Sequence, residues 1–262
     1  MPTTIAIANQ KGGTGKTTTT VNLGYGLAQR GHRVLIVDLD PQGHVALTLG
    51  FPPSSGTYDL LLGRSKAVKL AQQAREDLPL WFIAGDKSTA LAREILNRRA
   101  FREGILKKAL ERSPFDVILL DCAPSLDVLH TATLVAANWL LVPVKLDHLA
   151  LAGVLGLIAT LQKVQDEGYG CNLLGVLPTF LDRVTTETKL QLEALLERYG
   201  DLVLPPIPVD TKLREAPGFG QTIWEHAPKA KAAVGIPKEE GSEDMIGGYD
   251  HLVEIVDTLL RG

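Results

Sequence analysis

The sequence predicts an α/β fold: a mostly parallel, doubly wound sheet flanked by helices. Two observations carry this expectation. Short, nearly continuous apolar runs recur along the chain, as strands buried on both faces require. Longer helical patterns separate them, so that strand and helix alternate. A third observation bounds it. No polar linker divides the 262 residues, and the chain reads as one domain, 1–262.

The strands fall, in order, at TTIAIA (3–8), RVLIVD (33–38), LWFIA (80–84), DVILLD (116–121), WLLVPV (139–144) and NLLGVLP (172–178). Helical patterns lie between them, for example over 16–30, 88–112, 149–167 and 186–198. The acidic, Gly-rich stretch 235–248 reads as a surface loop. After it, YDHLVEIVDTLLR (249–261) sets Leu252, Ile255, Val256, Leu259 and Leu260 on one helical face. A helix lying on a membrane carries Lys and Arg on its polar face. This one carries Asp250, Glu254 and Asp257, which predicts docking on the core instead.

Composition excludes some functions. Net charge is -3, so no overall basic field draws the chain to nucleic acid, and any such binding needs a local patch. Cys122 and Cys171 stand far apart with no metal-ligand spacing, which fits a reducing cytosol. The N-terminus lacks a basic, cleavable leader, and no apolar run approaches the ~18 residues of a membrane span. A cytoplasmic location is expected.

The chemistry lies in IAIANQKGGTGKTTTTVNLG (5–24). A glycine-rich turn between a strand and a helix is the setting of a phosphate-binding loop. Gly12, Gly13 and Gly15 let backbone N–H groups face phosphates, with Thr14 between them and the helix dipole behind. Lys16 reaches the β- and γ-phosphates, and Thr17 offers a hydroxyl to Mg²⁺. The loop nevertheless departs from the usual pattern. Gln10 stands where its first glycine belongs, and a second lysine, Lys11, follows. Two carboxylate motifs complete a P-loop NTPase: FDVILLDCAPS (115–125), ending a strand on Asp121, and RVLIVDLDPQG (33–43), with Asp38 and Asp40 at another strand end.

KGGTGKTT, VDLDPQG and LLDCAPS, in this order and spacing, resemble the ParA family of partition ATPases. PTFLDR (178–183) and PVDTKLREAPGFGQTIWEHAPKAK (208–231) extend the resemblance over roughly 3–234 and the final helix. The resemblance implies ATP and Mg²⁺ as cofactors. It implies that Lys11 crosses a dimer interface to the partner's ATP, where it offsets the repulsion of two nucleotides held face to face. Gly12 and Gly13 then lie at that interface, and Lys16, Thr17 and Thr18 hold phosphates and Mg²⁺. Asp40 positions the attacking water, while Asp38 and Asp121 support Mg²⁺. The resemblance further implies an ATP-dependent homodimer that binds DNA without sequence preference and associates with the nucleoid, and a ParB-like or other cargo-adaptor protein that stimulates hydrolysis and releases it.

Arg183, Lys212 and Arg214 fall in segments that contribute to DNA binding in the family. Residues 180–235 are not basic as a whole, so folding and dimerisation must assemble the patch. The stretch 93–112 is rich in Lys and Arg; it reads as a solvated helix face or as support for a DNA backbone. The sequence departs from the family at Ala123, where a proline is usual, and after Lys231. Alternatives are a MinD-like membrane-associated regulator, opposed by the acidic last helix, and a metabolic enzyme built on the same loop.

Overall fold

The computed structural model describes residues 1–125, 127–148, 150–182, 185–237 and 245–262. Seven strands form the main sheet: β1 (Thr3–Ile7), β2 (Val34–Asp38), β3 (Gln72–Gln73), β4 (Leu80–Ile83), β5 (Val117–Asp121), β6 (Trp139–Lys145) and β7 (Asn172–Thr179). They lie in the order β3-β4-β2-β5-β1-β6-β7. Every neighbouring pair is parallel except the short edge strand β3, which runs antiparallel to β4. All six strands expected from the sequence are present.

The most apolar runs occupy the centre. β1, β2 and β5 are buried almost throughout, since helices cover both faces of a parallel sheet. On one face Ile5, Ile7, Ile36 and Leu119 pack with Val21, Leu23 and Leu27 of α1 (Lys16–Gln29). The C-terminal helix Gly248–Arg261 closes this layer with Tyr249, Leu252, Val253 and Val256, as its apolar stripe predicts. Burial of each such side chain contributes about 1.5–3 kcal/mol. On the other face Ala6, Leu140 and Val142 meet Val154, Leu157 and Leu161 of the helix Ala150–Asp166.

The structure departs from the sequence reading in two places. The pattern over 88–112 is not one helix. It splits into Lys87–Asn97 and Ile105–Leu110, with a tight turn at Arg102–Gly104. Between the buried Leu96 and the partly buried Ile105 the only large apolar residue is Phe101, which is exposed, so nothing holds a helical face to the core there. The stretch 235–248 is not all loop, because Ile236–Pro237 and Met245–Ile246 pair as an antiparallel ribbon. Residues 238–244 lie outside the described set. Beyond the helical patterns named above, Val128–Ala136 is helical, capped by the Asp127 carboxylate, which accepts from the Leu129 and His130 N–H groups.

Candidate functional site

Six parallel strands end at the same edge of the sheet, and the loops that follow β1, β2, β5, β6 and β7 meet there. The loop after β1 turns into α1 through Gly15, at φ 82°. That left-handed geometry costs a residue with a side chain about 1–2 kcal/mol. The Phe180 ring, 3.5 Å from where a Cβ would stand, also closes the space. No side chain caps α1, so its first N–H groups are left to a ligand.

Lys16 opens that helix and is buried; its Nζ donates to the Lys11 carbonyl at 3.0 Å. Burial lowers its pKa, and the nearby carboxylates of Asp121 and Asp40 oppose the shift. A phosphate meeting this half-desolvated ammonium would find a charge that water scarcely screens. Thr14 is buried, and its carbonyl accepts from the Thr179 hydroxyl at 2.9 Å, which ties the loop to β7. The Asn9 side chain ties it to β6 through the Pro143 carbonyl at 2.8 Å.

Asp121, at the end of β5, is fully buried and accepts from the Thr17 hydroxyl at 2.7 Å and the Thr20 hydroxyl at 3.0 Å. Burial pushes its pKa up to about 6, against the pull of the two threonines and Lys16. A hydroxyl and a carboxylate this close are hard oxygen donors, which suit a cation such as Mg²⁺ that also takes phosphate oxygens. Asp38 lies opposite Asp121 in the β2–β5 register. Its two oxygens are occupied, one by the Asp40 N–H and the other by the Val45 N–H, each at 3.0 Å. Burial, and then the Asp121 charge, raise its pKa well above the usual carboxylate range. Asp38 therefore fastens the turn that carries Asp40. The Asp40 carboxylate accepts from the Gln42 N–H at 2.9 Å and acts electrostatically on both Lys16 and Asp121.

Lys11 points elsewhere. Its Nζ pairs with Asp147, in the loop after β6, at 2.5 Å, and its side chain is one-third exposed. A Cβ at Gly12 would meet nothing of its own chain within 4 Å. Gly13 and Thr18 line one wall of an open cleft of about 550 Å³, and Phe180, Val209, Leu213 and Pro217 form the other. Arg214 lines this same cleft, so the structure sets it beside the phosphate loop and apart from Lys212. Lys212 is exposed and pairs with Glu215 at 2.8 Å. Arg183 lies outside the described residues. The structure thus gathers Lys11, Gly12, Gly13, Thr14, Gly15, Lys16, Thr17, Thr18, Asp38, Asp40 and Asp121 at one edge of the sheet.

Sequence reasoning missed Asp147, whose signal is only its place just beyond a strand end. It also missed Gly85. A Cβ there would lie 2.7 Å from the Asp38 carbonyl oxygen and 2.8 Å from that of Asp40. Among the described residues no helix is long and apolar enough to cross a membrane.

A family profile described as an AAA domain matches residues 2–173. The chromosome-partitioning ATPase Soj of Thermus thermophilus is 40% identical over 87% of this chain and 90% of its own length. The sporulation initiation inhibitor protein Soj of Bacillus subtilis is 36% identical over 87% of this chain and 93% of its own. A solved cobyrinic acid a,c-diamide synthase from Mycobacterium smegmatis, bound to ADP and magnesium, superposes with a TM-score of 0.74 at 36% identity, covering 87% of this chain and 96% of its own. The septum site-determining protein MinD of Pyrococcus horikoshii shares the fold, with a TM-score of 0.75 at 22% identity, over 99% of this chain and 96% of its own. A phosphate loop with a second lysine, two aspartate-bearing strand ends beside it, and this identity over nearly nine-tenths of the sequence together place the chain in the ParA/Soj family of partitioning ATPases.

Proposed function

We propose that this protein is a Mg²⁺-dependent ATP switch that acts on DNA. Lys16 and the N-terminus of α1 hold the phosphates. Thr17 and Asp121 hold Mg²⁺, which neutralises phosphate charge when bound. Thr18 and the Phe180 cleft seat the rest of the nucleotide. Asp40 positions the attacking water, and Asp38 keeps Asp40 in place. With ATP bound, two copies pair face to face across Gly12 and Gly13, and Lys11 leaves Asp147 for the partner's nucleotide. The dimer binds DNA without sequence preference through Lys212 and Arg183. A cargo-bound, ParB-like partner stimulates hydrolysis and releases it, so that a chromosome, plasmid or other cargo is moved.

One observation carries the dimer reading. Lys11 is held in a cis ion pair beside a glycine that its own chain leaves free to bear a side chain. What asks for glycine at Gly12 therefore comes from outside the chain, either phosphates or a second subunit. Against a membrane-bound role stands the C-terminal helix, whose apolar face is already buried on α1. Against a metabolic role stands the segment 208–217, which walls the cleft and leaves Lys212 exposed to solvent.

The test is duplex binding at several salt concentrations with ATP, with ADP and without nucleotide. Affinity should appear with ATP alone, on any sequence. It should fall with salt at a slope of about 0.9 per phosphate contact. Lys212→Glu and Arg183→Glu should flatten the slope and leave ATP binding intact. Equal affinity in all three nucleotide states, or none in any, would favour the metabolic reading.

A further inference from the structure

A groove of about 1,040 Å³ lies away from the phosphate loop. Arg112 and Ser113 help line it, just before β5 begins. It therefore opens toward the strand ends opposite those that carry the nucleotide loops. A dimer joined through those loops leaves it exposed in both subunits.

Its charge is out of character with the chain. Arg64, Lys66 and Lys69 line one lip, and Arg99, Lys108 and Arg112 line the other. Glu111 is the one acidic lining residue, and the rest of the chain carries 21 Lys/Arg against 29 Asp/Glu. Of the six cations, Arg64 reaches Asp59 at 3.7 Å and lies over the Tyr58 ring. Among the described residues the other five have no carboxylate within 4.0 Å. Like charges lining one groove repel one another, and an anionic occupant would relieve that repulsion. Apolar side chains line the groove with these cations: Val68, which is half exposed, Ile105 and Ala109.

We propose that this groove docks a partner protein through an acidic segment that also carries apolar side chains, in every nucleotide state. The carboxylates meet the two lips, and the apolar side chains cover Val68, Ile105 and Ala109. Charge complementarity sets partner choice and encounter rate, and the apolar lining holds the complex. Nucleic acid matches only half of this surface. A duplex backbone has nothing to bury on apolar side chains, and no aromatic residue lines the groove to stack an unpaired base. The partner is thus held apart from the ATP-gated DNA surface, and one subunit can engage both together.

The probe is a short fluorescent peptide of alternating Glu and Leu, titrated by anisotropy into the full-length protein with ATP, with ADP and without nucleotide. Controls are a Glu–Ser peptide, a Lys–Leu peptide and a fluorescent duplex. The Glu–Leu peptide should bind alike in the three states and more tightly than either control peptide. The double variant Lys69→Glu/Lys108→Glu should weaken it at least about tenfold, the effect of reversing two charges at an interface. Val68→Ser should weaken it without changing its salt dependence. ATP binding, unchanged in these exposed variants, reports that they are folded. Absence of Glu–Leu binding, or binding indifferent to the charge reversals, overturns the proposal. So does a duplex that binds in all nucleotide states and is lost with Lys69 and Lys108, which would make the groove a nucleic-acid site.

Discussion

Lys11 Nζ and Asp147 Oδ2 lie 2.5 Å apart, joining the loop after β1 to the loop after β6. Both side chains are partly exposed, at 33% and 20%, so after solvent screening the pair contributes about 0.2–1 kcal/mol. A contact this weak can be exchanged for a partner's phosphates. Asp147→Asn should therefore lower the ATP concentration that drives half the protein into dimers by about two- to fivefold, without changing ATP affinity in the monomer. Light scattering across an ATP titration reads both states. Lys11→Ala should bind nucleotide and remain monomeric; a variant that dimerises like the parent would remove Lys11 from the interface.

Lys16→Ala should lose at least about tenfold in ATP affinity, since a charge-assisted hydrogen bond to phosphate contributes about 1.5–3 kcal/mol. Equilibrium binding of a fluorescent ATP analogue measures it. The folded state should not suffer in parallel, because the substitution removes a buried ammonium whose pKa burial already lowers. Unchanged nucleotide affinity would contradict the role.

Asp40→Ala should retain the phosphate cradle and lose the positioned water. Phosphate release should drop to background while an ATP-bound dimer persists on sizing. Gly85→Ala should reach a similar loss by another route. Its Cβ would press on the Asp38 and Asp40 carbonyls at 2.7 and 2.8 Å and displace the turn that carries Asp40. Normal turnover in Gly85→Ala would show that the turn yields without consequence.

Asp121 makes stability and ligand binding respond to pH with opposite signs. Its ordinary pKa of 3.8 rises to about 6 on folding, because burial disfavours its charge. Between those values the folded chain keeps a proton that the unfolded chain releases. From this group, the stability of the nucleotide-free protein falls as pH climbs through that window and is level above it. Mg²⁺ needs the ionised carboxylate, so Mg-ATP affinity should weaken as pH drops below about 6. Thermal unfolding and nucleotide titration from about pH 5 to 7.5 test both. Asp121→Asn should flatten each profile, and an unaltered profile in that variant would assign the pH response to another group.

The sheet and the phosphate loop were legible because their signals are local. A buried parallel strand is a run of neighbours, and the loop is a turn between a strand and a helix. Asp147 was not legible, since nothing local says that β6 lies beside β1, and only that adjacency brings Asp147 to Lys11. Gly85 is one of 25 glycines until the fold presses it against two carbonyls. Asp38 was marked by its motif, but the sequence does not place the Asp40 and Val45 N–H groups from which its two oxygens accept. Charge over 93–112 was visible at once, yet its meaning depended on a helix break and on a second segment, 64–69, closing the other side of a groove.

The central place of β1 sets the order in which the protein can be made. Thr3 pairs with Val117, and Ile5 pairs with Trp139. At about 5–20 residues per second, a nascent chain waits roughly 6–23 s between making β1 and making its first neighbour. During that time an apolar strand has both edges bare, and ATP cannot shelter it, because Asp121 and Phe180 have not yet been made. Helices and β2 can form early, but the nucleotide site is among the last features to close. Synthesis that stalls before residue 117 therefore leaves an aggregation-prone fragment with no ligand able to rescue it.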